Sequence, residues 1–243
     1  MARIPKIPDE IFSDFCDDVR TVFGEDLVSV VLFGSGARGE YIPKKSDINF
    51  LVVVKDNSPS ELTAFRHCLG KWQKRNVATP LFLTESYIRS SLDTFPIEFL
   101  EMKAAYTVVH GEDLLAGLQF EKSDLRMQAE RELKGKLLHL RQEFLESRGK
   151  VEALTELVSA SMAAFTPVFR ALLYVAGEKH MVKRADLLKQ VCIKFGLNFE
   201  LFQRLLDISR GEVRIPASEM NDLFDDYVGE IDKLSATVDA MPV

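Results

Sequence analysis

The chain has few cysteines, no excess of positive charge and no long apolar run, and each shortage removes a class of protein. Its three cysteines, Cys16, Cys68 and Cys192, are widely spaced and lack CxxC or Cys/His spacing, which argues against a disulfide framework or a zinc site. With 31 Lys and Arg against 37 Asp and Glu the formal charge is −6, so no global field draws the chain onto a nucleic-acid backbone, and a nucleic-acid partner is not expected. No uninterrupted apolar run approaches the roughly 20 residues of a membrane span, and the segment from Met1 to Pro8 lacks the apolar centre of a signal peptide. A cytoplasmic location away from membranes is the expectation. His67, His110, His139 and His180 show no triad or metal spacing and read as structural or exposed.

What is present suffices for a sizeable core: 243 residues, 47% of them hydrophobic and 28% charged. After Pro8, the residues Ile11, Phe12, Phe15, Val19, Val22 and Phe23 recur at helical spacing, and Gly24 stops them. Apolar runs rich in β-branched residues at 27–33 and 48–54 predict two buried strands, with a loop from Gly34 to Ser46 between them. Ser58-Pro59-Ser60-Glu61 opens a helix towards Arg75; 79–83 reads as a third strand, then a short helix starts at Glu85. The stretch 95–102 reads as strand-like, and 107–111 closes this half. From Ser123 onward the period is helical throughout, over 123–148, 151–177, 184–196, 199–209 and 217–238, with Pro167 expected to kink the second helix. The reading is therefore two domains, residues 1–118 of mixed strand and helix and residues 119–243 as an antiparallel helical bundle.

Chemistry concentrates in Phe33-Gly34-Ser35-Gly36-Ala37-Arg38-Gly39, followed after seven residues by Asp47-Ile48-Asn49. Glycines allow close backbone approach to a ligand, and a loop running into a helix would aim free N–H groups at phosphate oxygens, with the Ser35 hydroxyl as a further donor. Alternate residues of a strand share a face, so Asp47 and Asn49 project together while Ile48 and Phe50 enter the core. Two oxygen ligands opposite a phosphate-binding loop make a magnesium and triphosphate site.

These residues resemble the signature of the DNA polymerase β-like nucleotidyltransferase superfamily, which includes the minimal and the aminoglycoside nucleotidyltransferases. The resemblance implies an α+β fold, a mixed sheet with helices ahead of the bundle. It also implies Gly34, Ser35 and Arg38 as nucleotide-binding residues, and Mg2+ held by Asp47, by the residue at 49 and by a third acid. For that third acid Glu98 is the choice, in Ile97-Glu98-Phe99-Leu100, and Glu101 the competitor; on a strand the two would face opposite sides. The implied activity is transfer of a nucleoside monophosphate from a nucleoside triphosphate, ATP for instance, to a hydroxyl of a small molecule or protein by two-metal displacement. Asn49 departs from the family's Asp-x-Asp. An amide oxygen ligates magnesium without a negative charge, and one unit charge about 4 Å from a cation is worth about 4 kcal/mol at an effective dielectric near 20. The alternative is therefore a catalytically inactive nucleotide-binding or antitoxin-like regulatory module, acting as a homodimer or with a helical partner protein.

Other features have blander readings beside the sharp ones. Lys44 and Lys45 bind phosphate or are simply solvated; Arg170 reaches towards a ligand or snorkels from the bundle. Asp222, Asp225 and Asp226 read as the wet face of the last helix. The bundle is similar in outline to the HEPN family, but that family's ribonuclease signature, Arg followed after four to six residues by His, is missing. Arg131 and His139 have seven residues between them, which argues against a ribonuclease role.

Overall fold

The computed structural model describes residues 3–178 and 184–242, so His180 lies outside the described residues. Two compact units make up the chain. One holds the residues up to Leu92 with Phe99–Gln119; the other holds Asp93–Glu98 with the chain from Phe120 onward.

In the first unit a short 3-10 turn, Pro8–Ile11, leads into α1 (Phe12–Phe23). Ile11, Phe15, Val19 and Phe23 lie four apart and all are buried, so one stripe of the helix faces the core. β1 (Leu27–Phe33), β2 (Asn49–Val54), β3 (Leu81–Leu83) and β4 (Tyr106–Gly111) form one sheet in the order β3-β2-β1-β4. β1 runs antiparallel to β2 and β4, while β3 is parallel to β2, so the sheet is mixed. The parallel step is bridged by α2 (Pro59–Thr63) and α3 (Arg66–Gln73). Val30–Leu32 and Phe50–Val54 are at most 1% exposed, as central strands covered on both faces require. Phe15 stacks on Phe50 with ring centres 4.1 Å apart and meets Trp72 edge-on at 5.1 Å. The fully buried indole donates its N–H to Asp18 at 3.0 Å, which satisfies its one polar atom.

α4 (Glu85–Ser90) follows β3, and then comes the principal departure from the sequence reading. Residues 95–102 are not a strand: α5 (Pro96–Ala104) is a helix. The alternation Phe95, Ile97, Phe99 imitates a strand, but Pro96 at the first position, Glu98 in the first turn and Lys103 in the last are helix-terminal features. The start of the helix is completed from outside the segment. Buried Gln128 accepts the Ile97 N–H at 2.9 Å through its side-chain oxygen and donates to Glu98 Oε2 at 2.8 Å.

β4 ends in an irregular pairing with β1. Gly111 has φ +80, and a β-carbon there would fall 2.0 Å from the Val28 carbonyl oxygen. The buried Ser29 hydroxyl reaches the same corner, with Glu112 O at 2.7 Å.

The second unit contains α6 (Lys122–Ser147), α7 (Val151–Val175), α8 (Arg184–Phe195), α9 (Phe199–Ser209) and α10 (Ala217–Asp239), each boundary within two residues of expectation. Its core is aromatic: Phe165 stacks on Phe169, and Phe169, Phe202 and Tyr227 meet edge to face. The Tyr227 hydroxyl donates to Ser161 Oγ at 3.1 Å. α7 continues as helix through Pro167. Among the described residues α7 alone is long and apolar enough to cross a membrane, and most of its apolar stretch is buried inside the protein. Its apolar residues are those of a bundle's central helix.

Gly111→Ala is expected to lower stability by about 3 kcal/mol, because it combines a positive φ with a backbone clash. Gly135→Ala, inside α6 with nothing within 4 Å of the new methyl, is expected to raise it by about 0.5–1 kcal/mol. Urea unfolding of both variants beside the parent chain measures the two shifts.

Candidate functional site

The site is built on the end of the β1–β2 pair. Phe33, the last residue of β1, is the register partner of Asn49, the first of β2, so the glycine-rich turn begins directly opposite the amide. Beyond β2's start the chain is held from its other side: Ile48 N–H donates to Asn76 O at 2.8 Å, and Ala78 N–H to Ile48 O at 3.0 Å. Exposure then alternates as the pleat dictates, with Asp47 exposed, Ile48 buried, Asn49 half-buried and Phe50 buried.

Residues 34–39 are a run of turns rather than a loop entering a helix, so no helix dipole contributes here. Two backbone bonds close the run, Arg38 N–H to Gly34 O at 3.1 Å and Glu40 N–H to Ser35 O at 2.9 Å. The amides of Ser35, Gly36 and Ala37 donate no hydrogen bond among the described residues, and successive free N–H groups of this kind form an anion-binding concavity. The three glycines differ in role. Gly34 and Gly39 need their left-handed φ of +76 and +73, whereas Gly36 packs tightly, a β-carbon there meeting Leu32 and Pro8 at 3.3 Å. A β-carbon on Gly34 would stand 3.2 Å from Asn49 Nδ2, so the amide lies against the first residue of the turn.

The charged residues sort into pairs. Arg38 donates through Nε to Glu40 at 3.1 Å and places NH1 3.8 Å from Glu101, with the arginine and Glu101 side chains about one-fifth exposed. Glu101 therefore belongs with the turn, in the first unit. Glu98 belongs to the second unit, bound to Gln128. As neighbours one turn apart on α5 the two acids share a helix face, in place of the opposite faces a strand would give them. Asp47 forms no hydrogen bond or ion pair among the described residues; its charge, with burial and Glu10 ahead of it, raises the Tyr41 pKa. Lys44 sits exposed in a turn at φ +69.

Magnesium is commonly held by one or two carboxylates together with triphosphate oxygens and water. Among the described residues no three His, Cys, Asp or Glu side chains converge to hold a metal ion. Asp47 beside a triphosphate suits one such ion. The other carboxylates at the turn, Glu40 and Glu101, are both paired with Arg38, which leaves none for a second ion. The residues fit one ion and not two.

Asp222, Asp225 and Asp226 are exposed on α10, as the bland reading had them, whereas Arg170 is buried at 4% exposure and does not snorkel from the bundle. His110 Nδ1 accepts from Arg20 at 2.9 Å, and burial, then the guanidinium charge, lowers its pKa. Sequence reading missed the contribution of Tyr106, the register partner of Phe33, whose hydroxyl donates to Asp113 at 2.9 Å. Burial and that hydrogen bond push its pKa up to about 12.

Residues 12–106 match the model of the nucleotidyltransferase domain family. Two proteins of Methanocaldococcus jannaschii, each named "putative protein adenylyltransferase", are similar over short stretches. One is 39% identical over 51 residues, 21% of this chain and 34% of that protein; the other is 43% identical over 47 residues, 19% of this chain and 46% of that protein. The chain thus spans less than half the length of either relative. The crystal structure of spectinomycin adenyltransferase from Enterococcus faecialis, with ATP and spectinomycin, superposes with a TM-score of 0.58 over 95% of this chain and 99% of that one, at 14% identity. That likeness is one of fold.

Gly34→Ala is expected to cost about 1–2 kcal/mol, from a strained φ and displacement of the Asn49 amide. Gly39→Ala, with the same strain but open space around it, should cost about 1 kcal/mol; the difference in urea midpoints isolates the contact. Because the Tyr106 pKa is higher folded than the ordinary 10, its stabilisation is complete below pH 10 and is lost as pH rises towards 12. Tyr106→Phe should remove one phenolate step near pH 12 from the ultraviolet titration and flatten the alkaline fall in stability.

Proposed function

We propose that residues 12–106, which match the nucleotidyltransferase domain family, act as such a domain, so that the protein binds a nucleoside triphosphate, ATP first among candidates, and transfers its nucleoside monophosphate to a hydroxyl. The carrying observation is the contact of the Gly34 turn with Asn49 beside the exposed carboxylate of Asp47. The free amides of residues 35–37 and the Ser35 hydroxyl receive the phosphates. Arg38, braced by Glu40 and Glu101, keeps the turn's far side in place. One magnesium ion, held by Asp47 and the triphosphate, would neutralise phosphate charge when bound. ATP and a small hydroxylated acceptor are favoured by the name of the structural neighbour, and a protein hydroxyl by the names of the archaeal relatives.

A second reading is binding without transfer. It is favoured by Asn49, which removes one negative charge where the superfamily places a carboxylate. The deficit of about 4 kcal/mol estimated above corresponds to a rate lower by about three powers of ten. No step is assigned to a second ion, because the residues at the turn do not suit one.

The full chain incubated with α-labelled ATP, Mg2+ or Mn2+ and a panel of acceptors, spectinomycin and whole-cell protein among them, separates the readings. Slow label transfer is expected, abolished in Asp47→Ala and accelerated at least about tenfold in Asn49→Asp. Transfer by Asn49→Asp with none by the parent chain, together with retention of labelled ATP by the parent, establishes binding without transfer.

A further inference from the structure

We propose that Asn49 is a triphosphate-binding residue whose side-chain amide donates to a phosphate oxygen, which lets nucleotide bind with at most one divalent cation. The inference rests on the nucleotide reading above and adds a role to this residue within it. The argument begins with position. The amide nitrogen faces Gly34, the first residue of the turn, where a β-carbon would stand 3.2 Å from it, and the residue is half-buried at the head of β2. Neither its side-chain nitrogen nor its side-chain oxygen makes a hydrogen bond among the described residues, so the donor is unused. The open amides of residues 35–37 follow directly in the chain. A half-buried NH2 group beside three free backbone N–H groups forms a set of neutral donors, which is the chemistry that receives phosphate oxygens.

Charge supplies the second argument. A triphosphate is strongly anionic, and Asp47 already faces it. A carboxylate at 49 would repel the same phosphates unless a further cation stood between them, and the other carboxylates at the turn, Glu40 and Glu101, are both paired with Arg38. An amide removes the repulsion and adds a donor. Nucleotide affinity should therefore depend less steeply on divalent metal than in a site built on paired acids, since Asp47 alone, instead of two carboxylates, stands against the phosphates.

The test is equilibrium binding of ATP to the full chain by calorimetry, in Mg2+ and in EDTA, for the parent protein, Asn49→Asp and Asn49→Ala, each checked for folding by thermal melting. The parent is expected to lose less than about tenfold affinity in EDTA, and Asn49→Asp more than about a hundredfold, because the restored charge demands a cation. Asn49→Ala should bind about tenfold more weakly in both buffers, having lost a donor without gaining a charge. Equal metal dependence in parent and Asn49→Asp, or parental affinity in Asn49→Ala, overturns the proposal while leaving the nucleotide reading intact. Absence of ATP binding by the parent in both buffers overturns both. Should either variant fail to fold, the other still decides.

Discussion

The pairing of β1 with β2 is the constraint on which the first unit depends. Its register, from Leu27 opposite Val54 to Phe33 opposite Asn49, puts the last residue of one strand against the first of the other. Because side chains alternate with a period of two, a slip by one residue would turn Asn49 and Asp47 into the core and bring Ile48 and Phe50 out. The stacking of Phe15 on Phe50 and the near-complete burial of Phe50–Val54 oppose such a slip. Core packing and the outward placement of Asp47 and Asn49 are thus fixed by the same ladder.

Much of this was legible in the sequence because strong local signals coincided with the final structure. Apolar runs rich in β-branched residues marked β1 and β2, and the stop at Gly24 corresponds to a position with positive φ. The Asp47/Asn49 alternation was likewise readable, since it needs only the pleat. What escaped was decided by partners distant in sequence. The stretch 95–102 is too short for periodicity to separate helix from strand, and the residue that satisfies its first turn, Gln128, lies some thirty positions away. The order β3-β2-β1-β4 carries no local signal, and β3 is only three residues long. The glycines looked equivalent on paper. Only packing against Leu32 and Pro8 separates Gly36 from Gly34 and Gly39.

The distribution of acids around the turn also has an electrostatic logic. Arg38 lies between Glu40 and Glu101, so one cation is matched by two anions at the back of the turn while its open amides carry no charge. Those pairs are partly exposed and contribute little to folding. Their effect is to orient a guanidinium that would otherwise sample many rotamers, with Glu40 holding one side of its fork and Glu101 facing another.

The chain between the turn and β2 is tied at only a few points. Tyr41 hydrogen-bonds to Pro5 O and Ser46 closes a small turn on Ile42, but residues 42–45 are exposed. Neither the Phe33–Asn49 register nor the Ile48–Asn76 bond runs through them. Loop closure costs only about 0.6 kcal/mol per doubling of length, so this segment can lengthen or change composition while the ladder beneath it stays in step. It is a place where a lineage of such proteins could vary in length and composition with little cost to the ladder.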